Sequence, residues 1–365
     1  KTLQVATFSI LTKALLPLPE KWHGLSDVET RYRQRYLDLI SNPSVAAIFR
    51  ARSVVIRTIR EFFEHERFIE VDTPILQAIP GGATARPFMT HHHALDVDMY
   101  LRVAPELYLK RLIVGGFERV FEIARCFRNE GIDHTHNPEF TQVEAYMAYA
   151  TYEDLMDLSE RLIREMVQAV HKTTHFEYEG QVIDCAGAFP CVKFRDAIIQ
   201  YGDIDIDAHL TFETLSTAAA SRGVNLKECT SRAQVLDQLF KTFVASTLVQ
   251  PTFVIDYPLE LSPLARKKND NPLYTERFQL VIAGVERMNA FSELNDPVDQ
   301  LERFKEQEGM RENGDVEAQR LDRDYITALE HGMPPTAGLG MGIDRMVALL
   351  TNSHAIKEVI LFPAL

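Results

Sequence analysis

The densest group of reactive side chains lies in the stretch FRNEGIDHTHNPEF, Phe127 to Phe140. It gathers Arg128, Glu130, His136 and Phe140 onto one short turn between two apolar runs. An arginine fork suits a phosphate or a carboxylate, a histidine adds a second donor, and a phenylalanine offers a flat apolar face. Downstream, TQVEAYMAYA alternates, so Phe140, Gln142, Glu144 and Tyr146 fall on one face of a strand. Such a hairpin has groups for a phosphate, a purine ring and an amine. The same composition also suits a solvated antiparallel turn with its charges in water, and the stretch alone leaves both readings open.

Three other constellations invite chemistry. In IPGGATARPF (79–88) the pair Gly81-Gly82 permits close backbone approach to a ligand or a positive φ, although an ordinary tight turn would use it too. In GLGMGIDRM (338–346), Gly338, Gly340 and Gly342 fall in phase on one face of a strand. Glycine weakens strands, so three in phase need a reason: a bare floor for a ring, or a helix packed closely on the sheet. Arg345 follows at the start of a helix, where its cation can meet phosphate. In VERMNAFSELND (285–296), Glu286, Asn289, Phe291 and Glu293 sit in a mostly apolar run, the last two sharing a face. A buried acid is costly unless paired, so Glu293 calls for an internal arginine or a cationic ligand.

Recognisable elements must position these groups. A helix starting at Asn42-Pro43 carries Val45, Ile48, Phe49, Val55, Ile56, Ile59, Phe62 and Phe63 at helical spacing. FIEVDTPIL alternates as a strand and is stopped by Pro74; MYLRV, RVFEIARCF and FTQVEAYMAY are further strands. Helices are expected over PELYLKRLIVG and from Tyr152 to about His171. From about 203 to 248 the pattern is helical and more polar, as in an inserted subdomain. Strand character returns at TFVIDYP and through ERFQLVIAGVERMNAFSEL. A charged helix spans 297–312, and the last run reads strand, helix, strand. Ahead of Pro43 lie a strand-like LQVATFSIL, a linker marked by Pro17 and Pro19, and a basic helix, VETRYRQRYLDL. Short turns between neighbouring strands point to antiparallel pairing. No GxGxxG or GxxxxGK[ST] occurs, so a nucleotide here is held by side chains on a sheet and not by a phosphate loop.

The bulk numbers narrow the class. A chain of 365 residues, 46% hydrophobic and 25% charged, reads as soluble and globular. No apolar run reaches the roughly 18 residues of a membrane helix, and no signal peptide is recognisable, so no membrane partner and a cytoplasmic location are expected. The cysteines form no CxxC pair, which speaks against zinc and redox sites. A net charge of −13 argues against general coating of nucleic acid but permits one local basic surface.

Taken in order, FFEHERFIEVDTPIL with Pro74, FRNEGIDHTHNPEF, and GLGMGIDRM with Arg345 resemble motifs 1, 2 and 3 of the class II aminoacyl-tRNA synthetases. IPGGATARPF, MYLRVAPELYLKRL, VEAYMAYA and NAFSELND resemble the lysyl-tRNA synthetase branch in particular. The likeness runs from about Leu15 to Pro363. It implies an α+β fold: an antiparallel sheet of six or seven strands flanked by helices, with a small helical insertion, and a homodimer built through motif 1. It also implies a reaction: ATP-dependent activation of L-lysine to lysyl-adenylate, then transfer of lysine to the 3′ acceptor end of tRNA(Lys), with Mg²⁺ accompanying ATP.

The resemblance assigns roles by position. Arg128, His136 and Arg345 are the catalytic cations. Arg128 meets the α-phosphate and the lysine carboxylate, and His136 the terminal phosphates. Phe140 stacks on adenine with Arg345 on its other face, and Glu130 takes the adenine amine. Gly342 and Glu286 complete the ATP site, and Glu286 with Gln279 is the metal pair. Glu106 and the Gly82 backbone receive the lysine α-amine and Asn289 its carboxylate. Glu293 and Tyr146, with Glu144 and Phe291 nearby, take the ε-ammonium.

The chain departs from that pattern in places. Gln279 stands where the family commonly has a glutamate, and an amide oxygen brings no charge to a metal. Thr135 stands where many bacterial relatives have arginine. Residues 1–42 are read as the end of an anticodon-binding OB-fold plus a linker, and 43–365 as the catalytic domain. The start without methionine suggests a fragment. Rival readings are a synthetase-like lysyltransferase acting on a translation elongation factor, an aspartyl or asparaginyl relative, and a catalytically silent paralogue. The linker, the acids Glu106, Glu144 and Glu293, and the set Arg128, His136, Phe140 and Arg345 oppose them in turn.

Overall fold

Strand alternation decides which residues meet. In the computed structural model, which describes residues 2, 4–18, 25–227, 229–312 and 320–365, one large sheet contains β1 (Ile69–Glu70), β2 (Arg119–Phe127), β3 (Glu139–Ala148) and β4 (Cys191–Lys193). Its other members are β5 (Thr252–Ile255), β6 (Arg277–Ile282), β7 (Val285–Ser292) and β8 (Thr336–Gly342). Their order across the sheet is β1-β2-β3-β8-β7-β6-β5-β4. The inner pairs are antiparallel, as the short turns imply, while the outermost pairs, β1 with β2 and β4 with β5, run parallel. The sheet is therefore mixed and eight-stranded, where six or seven antiparallel strands were expected. Of the two short edge strands, β1 keeps only two residues of the expected strand FIEVDTPIL, and β4, three residues long, is too short to leave a periodic signal.

Val143, Ala145 and Met147 of β3, Ala337, Leu339 and Met341 of β8, and Met288 and Ala290 of β7 face one side and belong to the main core. Three helices cover that side: α1 (Pro43–His65), α3 (Tyr152–His171) and α6 (Ile343–Leu350). α1 begins with proline at its first turn, where the missing N–H costs nothing, and buries Val55, Ile59, Phe62 and Phe63. Each such side chain removed from water stabilises the fold by about 1.5–3 kcal/mol. The intervening residues, Gln142, Glu144 and Tyr146 on β3 and Gly338, Gly340 and Gly342 on β8, face the other side and line a cavity. That side is flanked by α2 (Glu106–Val114), α4 (Pro297–Glu312) and α5 (Arg323–Glu330), which share a smaller core with Leu109, Ile113, Phe304, Tyr325 and Leu329. Its far flank is the helical segment between β4 and β5. That segment is helical from Phe194 onward and has its own core, including Leu215, Val235, Leu236 and Val244 packed on Val254 and Val281.

Several elements differ from expectation. ERFQLVIAGVERMNAFSEL is not one strand but the hairpin β6–β7, turned at Ala283-Gly284, where both φ angles are positive. FIEVDTPIL yields only β1 and a two-residue strand, Leu76–Gln77, either side of Pro74. The basic helix breaks at Gln34 into Val28–Arg33 and Arg35–Ser41. The final strand is absent: Ile356–Glu358 is a short 3₁₀ turn and the residues after it are irregular. The strand-like piece at 3–11 pairs with nothing in its described residues, and Val5, Phe8, Ile10 and Leu11 are exposed. Pro19 lies outside the described residues. Among the described residues, no single helix is long and apolar enough to cross a membrane.

Candidate active site

The three in-phase glycines form the floor of a cavity of about 380 Å³. Gly338 pairs across the sheet with Tyr146 and Phe291, Gly340 with Glu144 and Asn289, and Gly342 with Gln142. A Cβ at Gly338 would collide with Glu293 Oε1 and the Tyr146 ring, so glycine there makes room for an acid and a phenol. At Gly340 and Gly342 the nearest side chains stand 3.7 Å from such a Cβ, and these two leave the floor bare. From Gly338 to Gly342 the floor extends four residues, about 13 Å. Its ends differ in charge.

The cationic end lies near Gly342. Arg345, in the first turn of α6, has Nη2 3.2 Å from His136 Nε2, while His136 Nδ1 lies 3.0 Å from Asp133 Oδ2. This arrangement suits the tautomer that donates from Nδ1 and accepts at Nε2. Asp133 organises the turn, accepting from the backbone N–H groups of Thr135 (2.6 Å) and His136 (2.7 Å). Burial opposes ionisation of Asp133, but these hydrogen bonds, together with those from the Thr135 and His136 side chains, hold its carboxyl below the usual range. The Arg128 guanidinium stands 5.0 Å over the Phe140 ring, and Arg128 Nε is buried without a hydrogen-bond partner among the described residues. A buried donor without a partner is uncommon and marks a place where a ligand can complete the set.

Behind this end, Asp344 is a buried junction. It accepts from Thr141 N at 2.8 Å and from Arg52 Nη1 at 2.5 Å, and Arg52 Nη2 donates to Thr141 Oγ1 at 3.1 Å. α1, β3 and α6 are thereby tied together next to Phe140 and Arg345, which fixes those two relative to each other. In the middle of the floor, Arg277 Nε donates to Asn289 Oδ1 at 2.8 Å, leaving the Asn289 amide N–H groups free to donate elsewhere.

The acidic end lies near Gly338. Glu144 is buried and accepts from Gln142 Nε2 at 2.7 Å and Tyr146 Oη at 3.0 Å. Burial, reinforced by the nearby Glu106, pushes its carboxyl up to about 8. Glu106 begins α2 and is bonded by Lys110 Nζ at 2.5 Å; the same ammonium is ion-paired with Glu293. Burial raises Glu106 and Glu293 as well. Gly82, with φ of +90°, lies against this end, and a Cβ there would fall 2.8 Å from the Glu106 Cβ. The positive φ and the close approach both require glycine.

A metal pair was expected at Glu286 and Gln279. Glu286 and Asn289 are three apart, yet both line the cavity, because the register slips between Leu280 and Val281 and leaves a bulge in β7. Gln279, across the hairpin on β6, has its Oε1 bonded by Tyr257 Oη at 2.6 Å. Glu286 is therefore a fitting carboxylate ligand, whereas the Gln279 oxygen is already engaged. No cluster of three or more His, Cys, Asp or Glu suited to a metal occurs among the described residues. A cation here would need oxygens from a bound phosphate.

Every expected site residue except Glu293 lines this one cavity: Gly82, Glu106, Arg128, Glu130, His136, Phe140, Glu144, Tyr146, Gln279, Glu286, Asn289, Phe291, Gly342 and Arg345. Glu293 sits one layer behind, at 1% exposure, against Lys110. Sequence reasoning missed Lys110, Arg277, Arg52 and Asp133. For Lys110 a signal existed, since it stands four residues after Glu106 on a helix. For Arg52, 292 residues from Asp344, none did.

Residues 27–365 match the family described as tRNA synthetases class II (D, K and N). A lysine–tRNA ligase of Helicobacter pylori is 54% identical over 98% of this chain and 71% of its own length. Its counterpart from Pelotomaculum thermopropionicum is 54% identical over 99% and 72%, and that from Pectobacterium carotovorum 55% over 98% and 71%.

Proposed function

This chain belongs to the class II tRNA synthetases (D, K and N), and on that premise we propose that it activates L-lysine with ATP and transfers the lysyl group to tRNA. The observation that carries the choice of amino acid is the acidic end of the cavity, where Glu106 and Glu144 face the space and Glu293 stands behind them. An aspartyl or asparaginyl pocket must bind a carboxylate or a neutral amide, and buried acids would repel or waste either.

The chemistry follows from the charge gradient along the floor. The lysine carboxylate lies toward Arg128, its ammonium groups toward Glu106, Glu144 and Tyr146. A carboxylate oxygen attacks the α-phosphorus of ATP in line, pyrophosphate leaves, and lysyl-adenylate forms. A hydroxyl at the 3′ end of tRNA then attacks the carbonyl carbon and AMP leaves. No side chain becomes covalently attached. The protein holds the reacting atoms at attack distance and neutralises charge where it develops. Arg128 meets the α-phosphate, His136 and Arg345 the outer phosphates, and Phe140 gives adenine a stacking face. Asn289, its oxygen held by Arg277, directs its amide N–H groups to the carboxylate. Mg²⁺, held by Glu286 and the ATP phosphates, would supply further neutralisation of the phosphate charge.

Residues 43–365 are taken as the catalytic domain, with residues 1–42 as the end of an OB-fold and a linker. A homodimer through α1 and the segment to Pro74, and a cytoplasmic location, complete the proposal. Lysine should become attached to added tRNA(Lys) when ATP is present, measured as labelled lysine precipitated with the RNA. Transfer of label to a translation elongation factor, with none on tRNA, would replace this reading by that of a protein lysyltransferase.

A further inference from the structure

We propose that Lys110 is a positioning residue of the amino-acid pocket: a built-in counter-ion that joins Glu106 to Glu293 and leaves a charge which two incoming ammonium groups complete. The inference rests on the reading of the pocket as one for lysine. Lys110 is fully buried on α2, bonded to Glu106 Oε1 at 2.5 Å and ion-paired with Glu293. The groups facing it from other elements are Tyr146 of β3, Phe291 of β7 and Tyr325 of α5, and Glu144 of β3 acts on its partner Glu293. Its ammonium lies 5.9 Å from the Tyr146 ring centre and 5.5 Å from that of Phe291. Burial would lower its proton affinity, but the Glu106 and Glu293 carboxylates more than reverse this, so Lys110 stays charged.

The count of charges gives the residue its role. Three buried carboxylates, Glu106, Glu144 and Glu293, less one internal ammonium, leave two negative charges when all are ionised. Lysine carries two ammonium groups, and its carboxylate is directed away to Arg128. A filled pocket is then neutral, as a desolvated site must nearly be. An amino acid with a single ammonium leaves one carboxylate uncompensated, and it must take up a proton or be repelled. Lys110 also fixes where Glu106 points. Without the cation, Glu106 and Glu293 would lose the group that orients both, and mutual repulsion would raise the pH at which they ionise.

The test compares the unaltered chain with Lys110→Met, close in volume, and Lys110→Gln, which keeps a polar tip without charge. Lysine-dependent exchange of pyrophosphate into ATP is measured from about pH 6 to 9, spanning the ordinary histidine range and the raised carboxylates. We expect the KM for lysine to rise about tenfold or more, as for truncation of a buried charge partner. The KM for ATP and kcat should stay within about threefold, the pattern of lost ground-state binding. The pH at which kcat/KM for lysine reaches half its plateau should move upward. An unchanged lysine KM in a folded variant would overturn the proposal. So would a parallel rise in both KM values, or failure of both variants to fold, since either places Lys110 in the fold alone. Absence of lysine-dependent exchange in the unaltered chain is a different result, and would overturn the lysine assignment itself.

Discussion

Arg128→Ala is expected to lower lysine-dependent exchange of pyrophosphate into ATP by about 10²–10³-fold, the effect of removing one preorganised donor from developing charge. The ground for so large a loss is specific. Arg128 belongs to the cationic end of the cavity, over the Phe140 ring, and its Nε has no partner among the described residues. It is the group best placed to hold the carboxylate and the α-phosphate at once, and these are the two reactants of the first step. Little folding energy depends on it, so the melting temperature should move by only a few degrees. Arg128→Lys should recover only a small part of the rate, because a single ammonium cannot bridge two anions as a planar fork does. A loss below about tenfold in Arg128→Ala would mean that the reacting groups meet elsewhere in the cavity.

Glu286→Gln should cost about a hundredfold or more, while Gln279→Glu should act in the opposite sense. Glu286 is brought to the cavity by the bulge in β7 and is the carboxylate best placed for a metal at the phosphates. Gln279 faces the same space, but its oxygen accepts from Tyr257. A glutamate there could keep that bond with one oxygen and offer the second, with a charge, to the cation. A magnesium titration separates the cases. Gln279→Glu should lower the Mg²⁺ concentration that gives half-maximal exchange, and Glu286→Gln should leave little activity at any concentration. An unchanged titration in Gln279→Glu would show that position 279 takes no part in metal binding.

How much of this could be read beforehand depends on the range of the interactions involved. The strands β2, β3 and β8 were legible because alternation is local: Gln142, Glu144 and Tyr146 announce a polar face two residues at a time. The helices α1 and α3 were legible from apolar spacing. The hairpin at Ala283-Gly284 was not, since alanine at positive φ is an unusual turn residue. The bulge that turns Glu286 into the cavity is set by pairing with β6 and has no sequence mark of its own. The expected final strand failed because apolar residues near the end, such as Phe362 at 71% exposure, pair with no edge. Within the site, the family resemblance supplied roles that chemistry alone left open. Arg277 escaped because it is paired inside the protein, and sequence shows a charge without its partner; Lys110 could be matched to Glu106 four residues back but not to the distant Glu293. Glu293, expected to take the ε-ammonium, stands against Lys110 and is not among the residues that line the cavity.

The most direct test of the central claim is the identity of the amino acid that supports exchange of labelled pyrophosphate into ATP by this chain. The reaction reads adenylate formation alone and needs no tRNA, so only the cavity described above is under test. Lysine should support exchange, ornithine and arginine should do so poorly because their cations miss the acidic end, and aspartate and asparagine should give none. Exchange with aspartate or asparagine and none with lysine would contradict the account, because Glu106 and Glu144, with Glu293 behind them, would then not meet the substrate side chain.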